Sequence, residues 1–162
     1  MPSRLYLAVI LLLLAPLAAR AEATPTVSVA TGQLGMRKEI PHALAIDVQV
    51  AAPWRWTLLR PIAGVLTSSK GGAYVYSGIA AEIPVTGSLQ LRPGFAPGVV
   101  LASADRELGS RLEFRSSMEL SLAPVESMRM GLSLSHISNA GFGYRNPGVE
   151  TLTFNIAFRP RR

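Results

Sequence analysis

From residue 26 onward the chain alternates between apolar and polar positions. In residues 42–50, Leu44, Ile46, Val48 and Val50 hold one parity and Ala43, Ala45, Asp47 and Gln49 the other. A period of two puts successive side chains on opposite faces of an extended strand, so this pattern predicts a strand with one apolar and one polar face. Val85, Leu89 and Leu91 stand against Thr86, Ser88, Gln90 and Arg92, and Leu112, Phe114, Met118, Leu120 and Leu122 stand against Glu113, Arg115, Ser117, Glu119 and Ser121. Met128, Met130, Leu132 and Leu134 repeat the pattern, and Leu152, Phe154, Ile156 and Phe158 close it. None of these runs has a helical period.

Turn chemistry divides the chain into eight expected strands, over residues 26–35, 42–51, 55–67, 71–83, 87–102, 110–122, 126–138 and 150–159. Pro93 and Pro97 lie inside the fifth. Proline cannot donate to a strand ladder, so a kink or an interruption is expected there. There is no internal repeat and no linker, and residues 24–162 read as one domain.

Composition decides which face meets what. The chain is 49% hydrophobic and only 16% charged, against about 25% charged in an ordinary soluble domain. An apolar excess spread over alternate strand positions fits an all-β, eight-stranded antiparallel transmembrane β-barrel, the closed sheet that lipid tolerates because it leaves no edge unpaired. A soluble eight-stranded barrel with its apolar face inward is the competing architecture.

The N-terminus favours export. Arg4 is followed by an apolar run over residues 5–19 and by the small-residue sites Ala19-Arg20-Ala21 and Ala21-Glu22-Ala23, the layout of a cleaved signal peptide over residues 1–23. The run contains Pro16 and is shorter than the roughly 18 to 20 residues that a spanning helix needs. Removing Arg4, Arg20 and Glu22 lowers 16 basic and 10 acidic side chains to 14 and 9, so the mature protein stays basic. No Lys/Arg block suggests a nucleic-acid arm.

Two histidines, two aspartates and no cysteine leave little for a multidentate metal site or a thiol nucleophile, and no metal is expected. Glycine-rich phosphate loops and a G-x-S-x-G elbow are absent. What stands out is Ser135-His136-Ile137-Ser138-Asn139-Ala140-Gly141, with Glu150 opening the last strand. His136 and Ser138 continue the even, lipid-facing stripe of Leu132 and Leu134, and Glu150 continues that of Leu152 and Phe154.

A hairpin that sets Leu134 opposite Leu152 and Leu132 opposite Phe154 sets His136 opposite Glu150. Cross-strand Cβ atoms are then about 5 Å apart, and Ser138 lies about 7 Å along the same face. That geometry allows Glu150 to orient His136 and His136 to deprotonate Ser138 for attack on an ester. His42 has no such partners and reads as structural. With both termini periplasmic, the 139–149 connection emerges at the cell surface, beside the lipopolysaccharide leaflet of a Gram-negative outer membrane. The substrate expected there is lipid A. Arg145 is the nearest candidate to hold its phosphates.

The run His136-Ile137-Ser138-Asn139-Ala140-Gly141, followed by Asn146-Pro147-Gly148-Val149-Glu150, resembles the signature of the PagL-type lipid A 3-O-deacylases. The likeness is strongest over residues 89–158, while the N-terminal half matches in general barrel pattern. It implies an outer-membrane esterase that removes the 3-O-linked β-hydroxyacyl chain of lipid A without a cofactor. Ser138 would be nucleophile, His136 base and Glu150 orienting acid, with Asn139 and Gly141 forming an oxyanion hole. It also admits a homodimer. Outside the enzyme class stand a structural or adhesive outer-membrane barrel and a soluble periplasmic lipid carrier.

Overall fold

The computed structural model describes residues 20–21, 25–37, 42–103 and 107–159. Most of the expected signal segment lies outside these, apart from Arg20–Ala21, which pairs with Trp54–Arg55. Eight long strands follow: β1 (Thr26–Leu34), β2 (Ala43–Ala51), β3 (Leu59–Ser68), β4 (Gly72–Ala81), β5 (Leu89–Ser103), β6 (Leu112–Val125), β7 (Met128–Ser138) and β8 (Val149–Phe158). Each pairs antiparallel with its neighbour in sequence, and β8 pairs with β1, so the sheet closes into an eight-stranded up-and-down barrel. The C-terminal ends of β1, β3, β5 and β7, where the connections 35–42, 69–71, 104–111 and 139–148 begin, share one end of the barrel, and those of β2, β4 and β6, where the turns 52–58, 82–88 and 126–127 begin, share the other.

The alternation resolves as the parity requires. Leu44, Ile46, Val48, Leu132, Leu134 and Phe154 face outward and are exposed, whereas Ala45, Asp47, Gln49, Ser133 and Ser135 face inward and are buried. Large apolar residues outside and small or polar ones inside invert a soluble barrel and match the demand of a lipid surround.

The lumen carries ion pairs in place of the apolar cavity that a soluble lipid carrier needs. Arg115 Nη2 lies 2.8 Å from Asp47 Oδ2, and the Tyr76 hydroxyl donates to Asp47 Oδ1 at 2.8 Å. Arg92 bridges Glu119 and Gln49, and Arg60 pairs with Glu82. Buried charge is costly unless paired and hydrogen-bonded, and these residues come from β2, β3, β4, β5 and β6 and the 82–88 turn, so satisfying them ties the strands into one barrel. The tyrosines fit because glycines face them. A Cβ at Gly64 would lie 2.5 Å from the Tyr76 hydroxyl, and one at Gly98 2.5 Å from Tyr74 Cζ.

The expected interruption at Pro93 and Pro97 is corrected in part. Strand β5 runs unbroken through both, and its ladder with β6 is continuous, with Pro93 opposite Met118 and Pro97 opposite Phe114. The Val100 N–H points toward β6, donating to Arg111, so the odd-numbered prolines turn their nitrogens toward β4. There the pairing skips Ser77 and Gly78, so the missing donors interrupt one ladder and leave the strand whole.

Candidate active site

Strand pairing brings the site together at the end of the barrel where the 139–148 connection emerges. In the β7–β8 ladder Leu134 is opposite Leu152, Leu132 opposite Phe154 and His136 opposite Glu150, the register expected from the sequence. Ile137 and Val149 turn inward and are buried, so their neighbours His136 and Glu150 project outward. His136 Nδ1–H donates to Glu150 Oε1 at 3.2 Å. This bond leaves Nε2 as the nitrogen able to accept a proton.

Ser138 is two residues beyond His136 on the same parity and is paired with Phe114 of β6. Among the described residues no hydrogen bond joins its hydroxyl to His136, so the structure brings Glu150 and His136 into contact and leaves Ser138 beside them unbonded. Phe114 stacks on Phe95 with centroids 6.0 Å apart and meets Phe142 of the connection, also at 6.0 Å. Phe95 and Phe142 are exposed. An aromatic surface therefore flanks Ser138 on the outer wall of the barrel.

Asn139 and Gly141, implied as oxyanion donors by resemblance, hold the connection in place. Asn139 is fully buried. Its Nδ2 donates to Leu108 O at 2.9 Å and to Arg145 O at 2.7 Å, and its backbone N–H donates to Asn146 Oδ1. Both side-chain protons are thus committed, and the amide has none to offer an oxyanion in this arrangement. The Gly141 N–H donates to Asn139 Oδ1 at 3.0 Å, a single bond in an exposed turn.

Arg145 is also engaged, donating to Glu107 O and lying 3.6 Å from its carboxylate. The Tyr144 hydroxyl donates to the same carboxylate, which holds the phenol proton beyond its usual range. His42 Nδ1 lies within hydrogen-bonding distance of Gly35 O and Gln33 Nε2, a structural role within the 35–42 connection.

Two residues at the site escape sequence reasoning. Arg37 reaches Glu150 from the 35–42 connection, with Nε 3.0 Å from Oε2. Gly148 lies directly against the imidazole: a Cβ there would stand 2.7 Å from His136 Cε1 and 3.2 Å from Nε2, and its φ is +59°. Gly148 belongs to the run that carries the resemblance, and only the packing shows why a side chain is not tolerated. Arg37 gives no parity signal, because it sits in a connection.

A family model described as lipid A 3-O-deacylase (PagL) matches residues 44–159. The chain is 34% identical over 56 residues to the lipid A deacylase PagL of Bordetella bronchiseptica, a match covering 35% of this chain and 32% of that protein, so it spans about a third of that curated relative's length. The fold is similar to the crystal structure of the outer membrane enzyme PagL, with TM-score 0.65 and 20% identity over 84% of this chain and 99% of that one. It is also similar to Neisserial surface protein A, with TM-score 0.53 and 10% identity over 84% of this chain and 96% of that one.

Proposed function

The chain belongs to the lipid A 3-O-deacylase (PagL) family, and from that membership we propose that it hydrolyses the ester at position 3 of lipid A in the outer leaflet of the outer membrane, through Ser138, His136 and Glu150. The observation that carries this reading is the Glu150–His136 pair, which faces outward on the apolar wall beside Ser138. A carboxylate, an imidazole and a hydroxyl on a lipid-facing surface are costly there unless a polar group of the lipid meets them.

In the proposed reaction Ser138 Oγ attacks the carbonyl carbon of the β-hydroxyacyl ester while its proton passes to His136 Nε2. Glu150 accepts the Nδ1–H throughout and stabilises the imidazolium. Collapse of the tetrahedral intermediate breaks the bond to the sugar oxygen, which takes the proton from His136. Water, deprotonated by the same imidazole, then releases the free hydroxy acid from Ser138. The Gly141 N–H becomes an oxyanion donor by breaking its one bond to Asn139 Oδ1. Asn139, with its amide committed to two carbonyls, positions that turn. The aromatic surface of Phe95, Phe114 and Phe142 offers apolar contact to the acyl chain.

Mass spectrometry of lipid A from Gram-negative cells producing the protein tests the assignment. The wild-type chain is expected to remove one hydroxyacyl group, and Ser138→Ala and His136→Asn to leave lipid A intact. Unaltered lipid A with the folded wild-type protein in the outer membrane would return the chain to the structural or adhesive class. N-terminal sequencing of that protein tests removal of residues 1–23.

A further inference from the structure

Glu150 uses both oxygens: Oε1 accepts from His136 at 3.2 Å, and Oε2 accepts from Arg37 Nε at 3.0 Å. The Arg37 guanidinium makes further bonds, with Nη2 donating to Pro147 O at 2.7 Å and to Gly148 O at 3.2 Å. Strand pairing explains how a residue so distant in sequence arrives there. The β1–β8 ladder sets Leu34 opposite Thr151, and the next residue, Gly35, donates its N–H to Glu150 O at 2.8 Å. The chain leaves β1 at the level of Glu150, and Arg37, two residues on, folds back over the carboxylate.

The contacts converge on the imidazole from two directions. One is the carboxylate that receives Nδ1–H. The other is the 147–148 turn, whose Gly148 Cα packs so closely under the ring that a Cβ would reach within 2.7 Å of His136 Cε1. A planar guanidinium with a fixed fork of donors can hold a carboxylate and two carbonyls at once, which a lysine ammonium does less specifically. A surface ion pair by itself is worth little. Here the pair is one part of a clamp on both supports of the His136 ring.

We infer that Arg37, which lies outside the residues matched by the family model, is a positioning residue for the deacylation proposed above, acting through Glu150 and the 147–148 turn. The inference rests on that functional reading. It deepens it by making the stretch that follows β1, residues 35–37, part of the active site.

The test uses the full-length mature barrel in mixed micelles with lipid A, with the folded state of each variant checked by its heat-modifiable mobility on gels. Arg37→Gln is expected to lower kcat by about ten- to a hundredfold, the scale of a misplaced catalytic group, and to change KM by less than about threefold. Arg37→Lys should recover part of the loss, and guanidinium ion added to Arg37→Ala should restore activity measurably. In a Glu150→Gln background, Arg37→Gln should add less than about threefold, because two residues acting through one contact are not additive. A rise in KM with kcat intact, or a loss of equal size in the Glu150→Gln background, would make Arg37 a substrate ligand and overturn the inference. Wild-type activity in Arg37→Ala would overturn it as well. If the wild-type barrel leaves lipid A intact, the deacylase reading itself falls and this inference with it.

Discussion

Replacing Gly148 by alanine separates the geometry of the His136 ring from the stability of the barrel. The added Cβ would stand 2.7 Å from His136 Cε1, roughly 1 Å inside the 3.5–4.0 Å of ordinary carbon–carbon contact. The backbone has little freedom to absorb this, since Arg37 bonds to the Gly148 carbonyl on one side and Val149 enters the β7–β8 ladder on the other. The ring must therefore move or rotate. A displacement near 1 Å at a catalytic group costs about a hundredfold in rate. The variant also places alanine at a φ of +59°, at about 1–2 kcal/mol.

Gly71→Ala supplies the control. Gly71 has φ +84° in the 69–71 turn with nothing within 4 Å of the added atom, so it incurs the backbone cost without the clash. Initial rates of lipid A hydrolysis and urea unfolding in detergent micelles are the two assays. Both variants should lose about 1–2 kcal/mol of stability, and only Gly148→Ala should lose the hundredfold in kcat. Equal activity in the two would show that the turn does not constrain the imidazole and refute the reasoning.

Two further predictions concern the two faces of the barrel. Leu132 is 58% exposed in the middle of β7, and Leu132→Arg should destabilise the barrel in phospholipid vesicles by about 2–4 kcal/mol, the cost of arginine near the bilayer midplane; an unchanged urea midpoint would place this face outside lipid. Inside, Asp47→Ala leaves Arg115 buried without its carboxylate and should cost about 3–5 kcal/mol, whereas Asp47→Leu combined with Arg115→Met should be distinctly milder by the same titration.

Much of this architecture was legible because a barrel wall obeys one rule along its whole length. Parity alone separates Leu44, Ile46 and Val48 from Ala45, Asp47 and Gln49, and the same parity aligned the last hairpin closely enough to set His136 opposite Glu150. Strand β5 was harder. A proline stops a ladder only on the side its nitrogen faces, and which side that is depends on the register of both neighbours.

The site was legible where it is built from strands and illegible where it is built from connections. Asn139 reads as a turn residue or an oxyanion donor, and only its contacts with Leu108 and Arg145, one of them 31 residues away in sequence, show it fastening two connections together. Arg37 is 113 residues from the carboxylate it holds, so no local spacing announces it.

The charged interior has a consequence for the membrane that surrounds it. Where Asp47, Gln49, Arg92, Arg115 and Glu119 meet, the lumen keeps a cavity of about 30 Å³, room for no more than a few water molecules. At that level the cylinder is a plug, with paired charges filling the bore that a porin would leave for solutes. The reaction proposed for the outer wall asks nothing of the inside except that it stay shut, so chemistry placed in a permeability barrier in this way opens no leak.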